Sequence, residues 1–172
     1  MMNLKRFLIR PSVVLLVVAC FPAFVMAQDS PAILSGGELT RVVPPGFYFE
    51  GQSAPTQMRN SAAARFGTKR FVIAGLVDTS GYSADVRAKY EGFLITDSPI
   101  RINDHDLGTG AYGFGFSDGG KMQIYDLAGE QIFSVSTTKD SGLRRPRPLM
   151  MTKSGNGVRL YSGKDYVTIM VR

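Results

Sequence analysis

The fold of this chain is clearest in residues 112–137, which read YGFGFSDGGKMQIYDLAGEQIFSVST. In its first part, Tyr112-Gly113-Phe114-Gly115-Phe116, three aromatic residues alternate with two glycines. A strand with this pattern carries three rings on one face and bare backbone on the other. We therefore expect a β-strand here, with a neighbouring group packed closely against the glycines or a bend in the strand.

Turn signals divide the same stretch into three strands. Asp118-Gly119-Gly120 and Ala128-Gly129 are typical of hairpin turns, and each precedes a segment rich in strand-forming residues, 121–126 and 131–137. The stretch predicts an antiparallel meander.

A second meander is predicted at the end of the chain. Segments 149–153, 158–162 and 166–171 have the composition of strands, and Gly155-Asn156-Gly157 and Gly163-Lys164-Asp165 separate them. Because the last segment ends one residue before the C-terminus, we expect the chain end to be held in a sheet.

Earlier segments extend the β pattern. The nearly continuous apolar run 70–77 suggests a buried central strand, and Pro99 marks an edge or a break between strands. Residues 83–90, behind a possible Ser83 cap, predict the one short helix. The remaining predicted strands are 39–43, 47–50, 57–66, 92–96 and 100–103.

Strands at this spacing are typical of an all-β domain and not of a βαβ fold. We predict a mainly β chain with a single antiparallel β-barrel or β-sandwich of about eight to ten short strands. The domain is expected over 38–172, behind a flexible lead-in at 28–37 that is polar and contains Pro and Gly.

The N-terminus has the layout of a cleavable secretory signal. Lys5, Arg6 and Arg10 precede an apolar run at 13–19, and Val25-Met26-Ala27 fits a signal peptidase site. The apolar run is too short for a convincing membrane span. We predict a signal peptide over 1–27 and a secreted or periplasmic mature protein that begins near Gln28.

Cys20, the only cysteine, allows an alternative. Val17-Val18-Ala19-Cys20 resembles a bacterial lipobox, whose cysteine is lipidated and becomes the N-terminus of a membrane-anchored lipoprotein. Against this, the apolar sequence continues through Phe21 to Ala27, where a lipoprotein usually has a polar tether. Cleavage after Ala27 instead leaves a mature chain without a thiol, and so without disulfides or thiolate metal sites.

Charge argues against nucleic acid as a partner. The formal net charge is +6, but the predicted signal contains three cations and no anions, which leaves +3 for the remainder. Part of the basic character therefore belongs to the signal, and we expect no nucleic-acid binding.

Three short motifs resemble catalytic or cofactor signatures without their required context. Residues 108–113 fit G-x-G-x-x-G but precede an aromatic strand where a helix is needed. Asp78-Thr79-Ser80-Gly81 departs from the Asp-Thr-Gly of aspartic proteases, and we interpret Asp78 as a turn residue. Residues 136–139 and 153–155 resemble motifs of penicillin-recognising serine enzymes, but the chain has no room for the helical domain that carries the nucleophile in those enzymes.

Asp104 and Asp106 are the candidate metal ligands. With Asn103 and Gly108 they place hard oxygen ligands at alternating positions, as calcium loops do, but the closing glutamate of an EF-hand is missing. A solvated turn is the favoured interpretation and calcium the alternative, so the sequence predicts no cofactor. His105, the only histidine, is the default acid or base near neutral pH.

The candidate ligand-binding residues are two aromatics and three cations: Tyr82, Tyr112, Arg144, Arg145 and Arg147. The aromatics would line the mouth or face of the β domain. The Pro-stiffened arginines would meet a phosphate group, an anionic lipid or an acidic glycan, so the expected partner is such a lipid, a glycan or another envelope component.

A noncatalytic binding or envelope-associated domain of unknown ligand is the favoured function, because no catalytic signature is present. A secreted hydrolase using two carboxylates among Asp78, Glu91, Asp104 and Asp106 is one alternative. A lipoprotein subunit of an envelope assembly is another.

Overall fold

The computed structural model describes residues 30–117 and 119–172. The predicted signal peptide 1–27, including Cys20, and the turn residue Asp118 lie outside the described residues. Within the two described ranges, no helix combines the length and the apolar character needed to cross a membrane.

The described residues form fourteen strands, two short helices and one 3-10 turn. The strands are β1 (Ala32–Ile33), β2 (Gly46–Phe49), β3 (Gln52–Phe66), β4 (Arg70–Val77), β5 (Gly92–Thr96), β6 (Ile100–Ile102), β7 (His105–Leu107), β8 (Gly110–Ser117), β9 (Lys121–Tyr125), β10 (Gln131–Ser136), β11 (Thr138–Lys139), β12 (Arg147–Ser154), β13 (Gly157–Gly163) and β14 (Asp165–Val171). The helices are α1 (Gly36–Val42) and α2 (Ala84–Lys89), and the 3-10 turn spans Thr79–Gly81. The predicted mainly β fold is confirmed.

The strands form two antiparallel sheets. Sheet I has the order β1-β3-β4-β5-β8-β9-β10, with β2 paired to β3, and sheet II has the order β12-β13-β14-β6-β7, with β11 paired to β14. Both predicted meanders are confirmed, because β8, β9 and β10 are neighbours in sheet I and β12, β13 and β14 are neighbours in sheet II. Of the two predicted architectures, the sandwich is the one that fits, and the sheets do not close into a barrel.

A buried apolar cluster, here called the intersheet core, holds the two sheets together. Val72, Leu94 and Phe114 of sheet I lie in it with Leu160 and Ile169 of sheet II, and none of these side chains is exposed. Burial of each such side chain stabilises the fold by about 1.5–3 kcal/mol relative to exposure to water.

Sheet I has a second buried face, here called the outer core. It is covered by the β2–β3 hairpin, the two helices and Tyr82, which follows the 3-10 turn, and it is rich in stacked rings. Phe49 stacks on Tyr90 with ring centroids 3.9 Å apart, and Phe47 stacks on Phe93 at 4.9 Å. Because both faces of sheet I are covered, β4 is apolar at almost every position, which confirms the predicted buried central strand.

The glycines of β8 are sites of close approach, as predicted. A methyl group on Gly113 would overlap the Phe49 ring, and one on Gly115 would overlap the carbonyl group of Lys89 at the end of α2. The aromatic residue Phe114 between them faces the intersheet core. The alternation of rings and glycines therefore fits a strand that packs against a second sheet on one face and against α2 and β2 on the other.

The second helix of the domain was predicted correctly, whereas the first was not. Residues 83–90 contain α2, and Ser83 caps it by accepting a hydrogen bond from the Val86 N–H at 3.4 Å. The prediction of a strand at 39–43 was wrong, because most of that segment belongs to α1. Leu39, Val42 and Val43 have helical i, i+3, i+4 spacing as well as strand-like composition, and they pack on the outer core.

Part of the segment 28–37, which was expected to be a flexible lead-in, belongs to secondary-structure elements: residues 32–33 form β1, and 36–37 begin α1. β1 pairs with β3 through Ala32 and Ile33, and Leu34 is buried in the outer core. Pro99 lies between β5 of sheet I and β6 of sheet II, which confirms the predicted break between strands. The number of strands is above the predicted eight to ten. Of the four strands of only two or three residues, β6 matches the strand predicted at 100–103, whereas β1, β7 and β11 were not predicted.

Candidate functional site

The two sheets enclose a polar cleft at one end of the sandwich. Its volume is about 450 Å³. Six of its eight lining residues are polar, and they come from both sheets and from the segments that join them: Glu91, Phe116, Ser117, Gly120, Thr137, Lys139, Ser162 and Asp165. We call this space the intersheet cleft.

Sheet II contributes a row of three polar side chains to this cleft. Asp165 of β14 is paired with Ser162 of β13 on one side and with Lys139 of β11 on the other. Directly paired residues of antiparallel strands direct their side chains to the same face of a sheet, about 5 Å apart. The register therefore places a hydroxyl, a carboxylate and an ammonium group side by side.

Glu91 faces this row from sheet I. It lies between α2 and β5, where its N–H donates to the Phe114 carbonyl at 2.9 Å and its carbonyl accepts from the Val77 N–H at 3.0 Å. The Phe116 N–H donates to the Glu91 carboxylate at 3.2 Å. These bonds to two neighbouring strands hold the carboxylate at the cleft wall.

A second cleft of about 320 Å³ adjoins the first, since Glu91 and Ser162 line both. We call it the side cleft; Arg87, Tyr90 and Pro148 are also in its wall. Burial raises the pKa of the Tyr90 hydroxyl, which has no hydrogen-bond partner among the described residues. The two clefts adjoin through Glu91 and Ser162, and their walls contain both acidic and basic side chains.

This surface offers hydrogen-bond donors and acceptors but no cluster suited to a metal. In the ranges 30–117 and 119–172, no three residues of the types His, Cys, Asp and Glu are grouped as a metal site requires. Glu91 and Asp165 supply acceptors, Lys139 and Arg87 supply donors, and the serine and threonine hydroxyls supply both. Such a set suits a ligand that is itself rich in hydroxyl or amide groups.

The two aromatic candidates, Tyr82 and Tyr112, lie apart from the clefts and from each other. Tyr82 is buried in the outer core, where its hydroxyl donates to the Phe49 and Gln52 carbonyls at 3.2 and 2.9 Å. Tyr112 packs against the intersheet core and donates to the Gly108 carbonyl at 3.1 Å. Both hydroxyls are used within the fold, and sheet I separates the rings.

The three candidate arginines lie together. Arg144, Arg145 and Arg147 are exposed on the segment between β11 and the start of β12. Arg147 also lines a third cleft, of about 220 Å³, with Met150 and Met151. Their role in ligand binding remains a prediction.

The candidate metal ligands are held by other side chains. Arg101 Nε donates to Asp106 Oδ1 at 2.7 Å, and Arg172 Nη1 donates to Asp106 Oδ2 at 2.6 Å. The Asp104 carboxylate lies 2.8 Å from His105 Nδ1, and this hydrogen bond lowers the Asp104 pKa. Asp106 thus pairs with two arginines and Asp104 is hydrogen-bonded to His105, and in the described residues no group of three His, Cys, Asp or Glu side chains forms a metal site around them.

The remaining motifs have structural roles. Asp78 caps the 3-10 turn by accepting from the Ser80 N–H at 3.0 Å, and this bond lowers the Asp78 pKa, in agreement with its interpretation as a turn residue. The glycine-rich segment 108–113 leads into β8 and not into a helix. The two segments that resemble penicillin-recognising enzymes, 136–139 and 153–155, differ in position. Lys139 lines the intersheet cleft, whereas Lys153 lies at the far end of β12 from Pro148, the residue of that strand that lines the side cleft.

Sequence reasoning identified Glu91 as a possible functional carboxylate but missed the row opposite it. Ser162 and Asp165 appear in the sequence as polar residues flanking a hairpin turn, and Lys139 as part of a polar strand end. The only local signal was that all three occur near the ends of predicted strands. Their proximity depends on the pairing of β11, β13 and β14, which the spacing along the chain does not reveal.

Comparisons with family models, with curated proteins and with solved structures give no match for this chain. The functional argument therefore depends on the geometry of the clefts.

Proposed function

We propose that this chain is an exported, noncatalytic binding domain whose intersheet cleft holds a saccharide. The observation that carries the proposal is the polar wall formed by two facing sheets, with Glu91 on one side and the row Ser162, Asp165 and Lys139 on the other. Pockets for apolar ligands are lined mainly by hydrophobic side chains, and this cleft has the opposite composition.

The chemistry of the wall matches that of a sugar. A carboxylate accepts hydrogen bonds from neighbouring hydroxyl groups, while an ammonium group and a serine hydroxyl donate to ring and hydroxyl oxygens. Phe116, which is partly exposed at the cleft, adds an apolar surface beside these groups. Export agrees with this function, because polysaccharides are abundant outside the cytoplasm.

The test begins with the full chain expressed in a bacterial host. The mass of the product recovered from the cell envelope distinguishes a free domain that begins at Gln28 from a lipoprotein with a modified Cys20. Calorimetric titration of the product with chitotetraose, cellotetraose and maltotetraose then measures binding. We expect at least one tetramer to bind, and D165N and S162A to weaken that binding at least tenfold.

Ser154→Ala is the matched control for this experiment. Ser154 belongs to β12 at the end of the β12–β13 hairpin and lines neither the intersheet cleft nor the side cleft, so its substitution should leave affinity unchanged. Failure of all three tetramers to bind, or equal affinity of S162A, D165N and wild type, would refute the proposed site.

A carboxylate-pair hydrolase is the second candidate, because Glu91 and Asp165 line the same cleft. Glycosidases place two carboxyl groups on either side of the bond that is cleaved. Chromatography of each tetramer after incubation with the protein separates the two functions. Hydrolysis that is abolished by E91Q would favour the enzyme, and recovery of intact tetramers would favour the binding domain.

A further inference from the structure

Residues 139–147, here called the arginine loop, run from the end of β11 to the start of β12, and both strands belong to sheet II. The loop carries Lys139, Arg144, Arg145 and Arg147, and its only carboxylate is Asp140. The three arginines are exposed, and none of them forms an ion pair within the part of the chain that the structure describes. Their charges are therefore not neutralised by neighbouring carboxylates.

Hydrogen bonds order this loop. Asp140 Oδ1 accepts from the Gly142 N–H at 3.0 Å, and Asp140 Oδ2 accepts from the Tyr161 hydroxyl at 3.0 Å. The Asp140 N–H donates to the Lys164 carbonyl at 2.9 Å, and Pro146 and Pro148 restrict the backbone that follows. The one acidic side chain of the loop is thus used to hold it in place, and the cations are presented on an ordered segment.

Both ends of the arginine loop lie at the clefts. Lys139, at its start, lines the intersheet cleft, and Pro148, directly after its end, lines the side cleft. Arg147 is paired with Gly163 in the β13–β14 turn, where Lys164 adds another cation. A ligand that occupies the intersheet cleft and extends along this loop beyond Lys139 would reach its arginines, of which Arg147 lines the third cleft.

We propose that the arginine loop makes the cleft selective for acidic glycans, meaning hydroxyl-rich chains that carry carboxylate or phosphate groups. This inference rests on the proposed saccharide-binding function and adds the class of saccharide. The planar guanidinium group of arginine donates two parallel hydrogen bonds to a carboxylate or a phosphate. In this arrangement the arginines, whose charges are not neutralised, bind the acidic groups of the glycan, and the polar cleft binds its hydroxyl groups.

A membrane surface fits these observations less well. Peripheral membrane binding usually combines positive charge with apolar side chains that enter the lipid. The large apolar side chains that are exposed in the described residues are Tyr48, Leu127, Ile132 and Met170, and none of them belongs to the arginine loop. Leu143, the one large apolar residue of the loop, is only partly exposed.

The probes for the test are tetragalacturonate and its fully methyl-esterified form, which have the same sugar chain and differ in charge. The protein recovered from expression of the full chain should bind the acid at least tenfold more tightly than the ester in 50 mM salt. This preference should decrease as the salt concentration rises, because the charges are exposed. The triple variant R144Q/R145Q/R147Q should lose the preference and retain its affinity for the ester.

The matched control is R59Q/K69Q/R70Q, which removes the same charge from three exposed cations outside the loop and the clefts. Its preference for the acid should equal that of the wild type. An equal loss in both triple variants, or equal affinity of the wild type for acid and ester, would overturn the inference and leave saccharide binding intact.

Two further outcomes separate this inference from the proposed function. Binding of neither galacturonate form would overturn the acidic-glycan inference alone, whereas the titrations with chitotetraose, cellotetraose and maltotetraose decide saccharide binding itself. Affinity for both tetramers that is unchanged in D165N, together with a preference for the acid that is lost in R144Q/R145Q/R147Q, would support the arginine loop and refute the cleft. In parallel, sedimentation with phosphatidylglycerol vesicles should show no binding, and vesicle binding that depends on the loop without any preference for the acidic tetramer would overturn the glycan assignment.

Discussion

Asp106 and Asn103 show how single residues of the β6–β7 hairpin acquire roles that their sequence context did not reveal. Asp106 pairs with Arg101 of the neighbouring strand and with Arg172 at the chain end. Asn103, in the left-handed region with φ of 51°, accepts from the Thr168 N–H and donates through Nδ2 to the Ser136 carbonyl, both at 2.9 Å. It thereby links β14 of sheet II to the end of β10 in sheet I.

The ion pairs of Asp106 predict a pH-dependent stability. The hydrogen bond from Arg101, more than any other interaction, lowers the Asp106 pKa below its ordinary value of 3.8. A carboxylate whose pKa is lower in the folded state stabilises the fold at neutral pH, and this contribution is lost as the pH falls below 3.8 and through the folded-state pKa. We expect D106N to lower Tm at pH 7 and low salt, with the difference from wild type decreasing below pH 4.

Thermal melts followed by circular dichroism at pH 7 and pH 2.5 check this prediction. Asp85→Asn is the control, since Asp85 is exposed and forms no ion pair among the described residues. If D106N lowers Tm relative to wild type by as much at pH 2.5 as at pH 7, the electrostatic explanation is wrong.

Among the elements, β8 is one whose structure could be predicted from its sequence pattern. Its alternating rings and glycines predicted both the strand and the close approach of another group, because a residue without Cβ leaves room for a neighbour. The identity of that neighbour, α2 at Gly115 and Phe49 at Gly113, required the folded structure. The segment 39–43 gave the opposite result, since five residues are too few to separate strand from helix periodicity.

Gly115→Ala should destabilise the protein. The added methyl group would overlap the Lys89 carbonyl, so that α2 or β8 must shift. Overpacking of this kind costs about 1–3 kcal/mol in the free energy of unfolding, which urea titration followed by tyrosine fluorescence measures.

Gly37→Ala in α1 is the comparison variant, because a methyl group there has no neighbour within 4 Å. It should keep or raise stability, by at most about 1 kcal/mol, since alanine favours helix. Equal stability of G115A and wild type would show that α2 moves without cost.

In the whole molecule, sheet I joins two hydrophobic cores that share its strands. Ile73 of β4 lies in the outer core, while its neighbours Val72 and Ala74 lie in the intersheet core. If one core unfolds, the strands of sheet I lose the cover on one face, and the same strands also form the other core. We therefore expect the two cores to unfold together as one cooperative unit.

Truncation of one side chain in each core tests this coupling. Phe49→Ala in the outer core should cost about 3–5 kcal/mol and Leu160→Ala in the intersheet core about 2–5 kcal/mol. Each should lower the midpoint of a single transition in urea, with near-UV and far-UV circular dichroism coinciding. Ile132→Ala, whose side chain is 46% exposed, should change stability by less than about 0.5 kcal/mol. Two separate transitions, each shifted by only one truncation, would contradict the coupling.

The sequence alone determined the features that depend on neighbouring residues: the β composition, both meanders, the helix after Ser83 and the turn role of Asp78. Alternation, capping and turn chemistry depend on residues a few positions apart, so these features can be predicted without knowledge of the fold. The candidate site was decided by tertiary structure, because Glu91, Lys139, Ser162 and Asp165 come together only through strand pairing and the packing of two sheets. Long-range register is set by the burial of whole sheet faces, a property of the complete chain that no short motif contains.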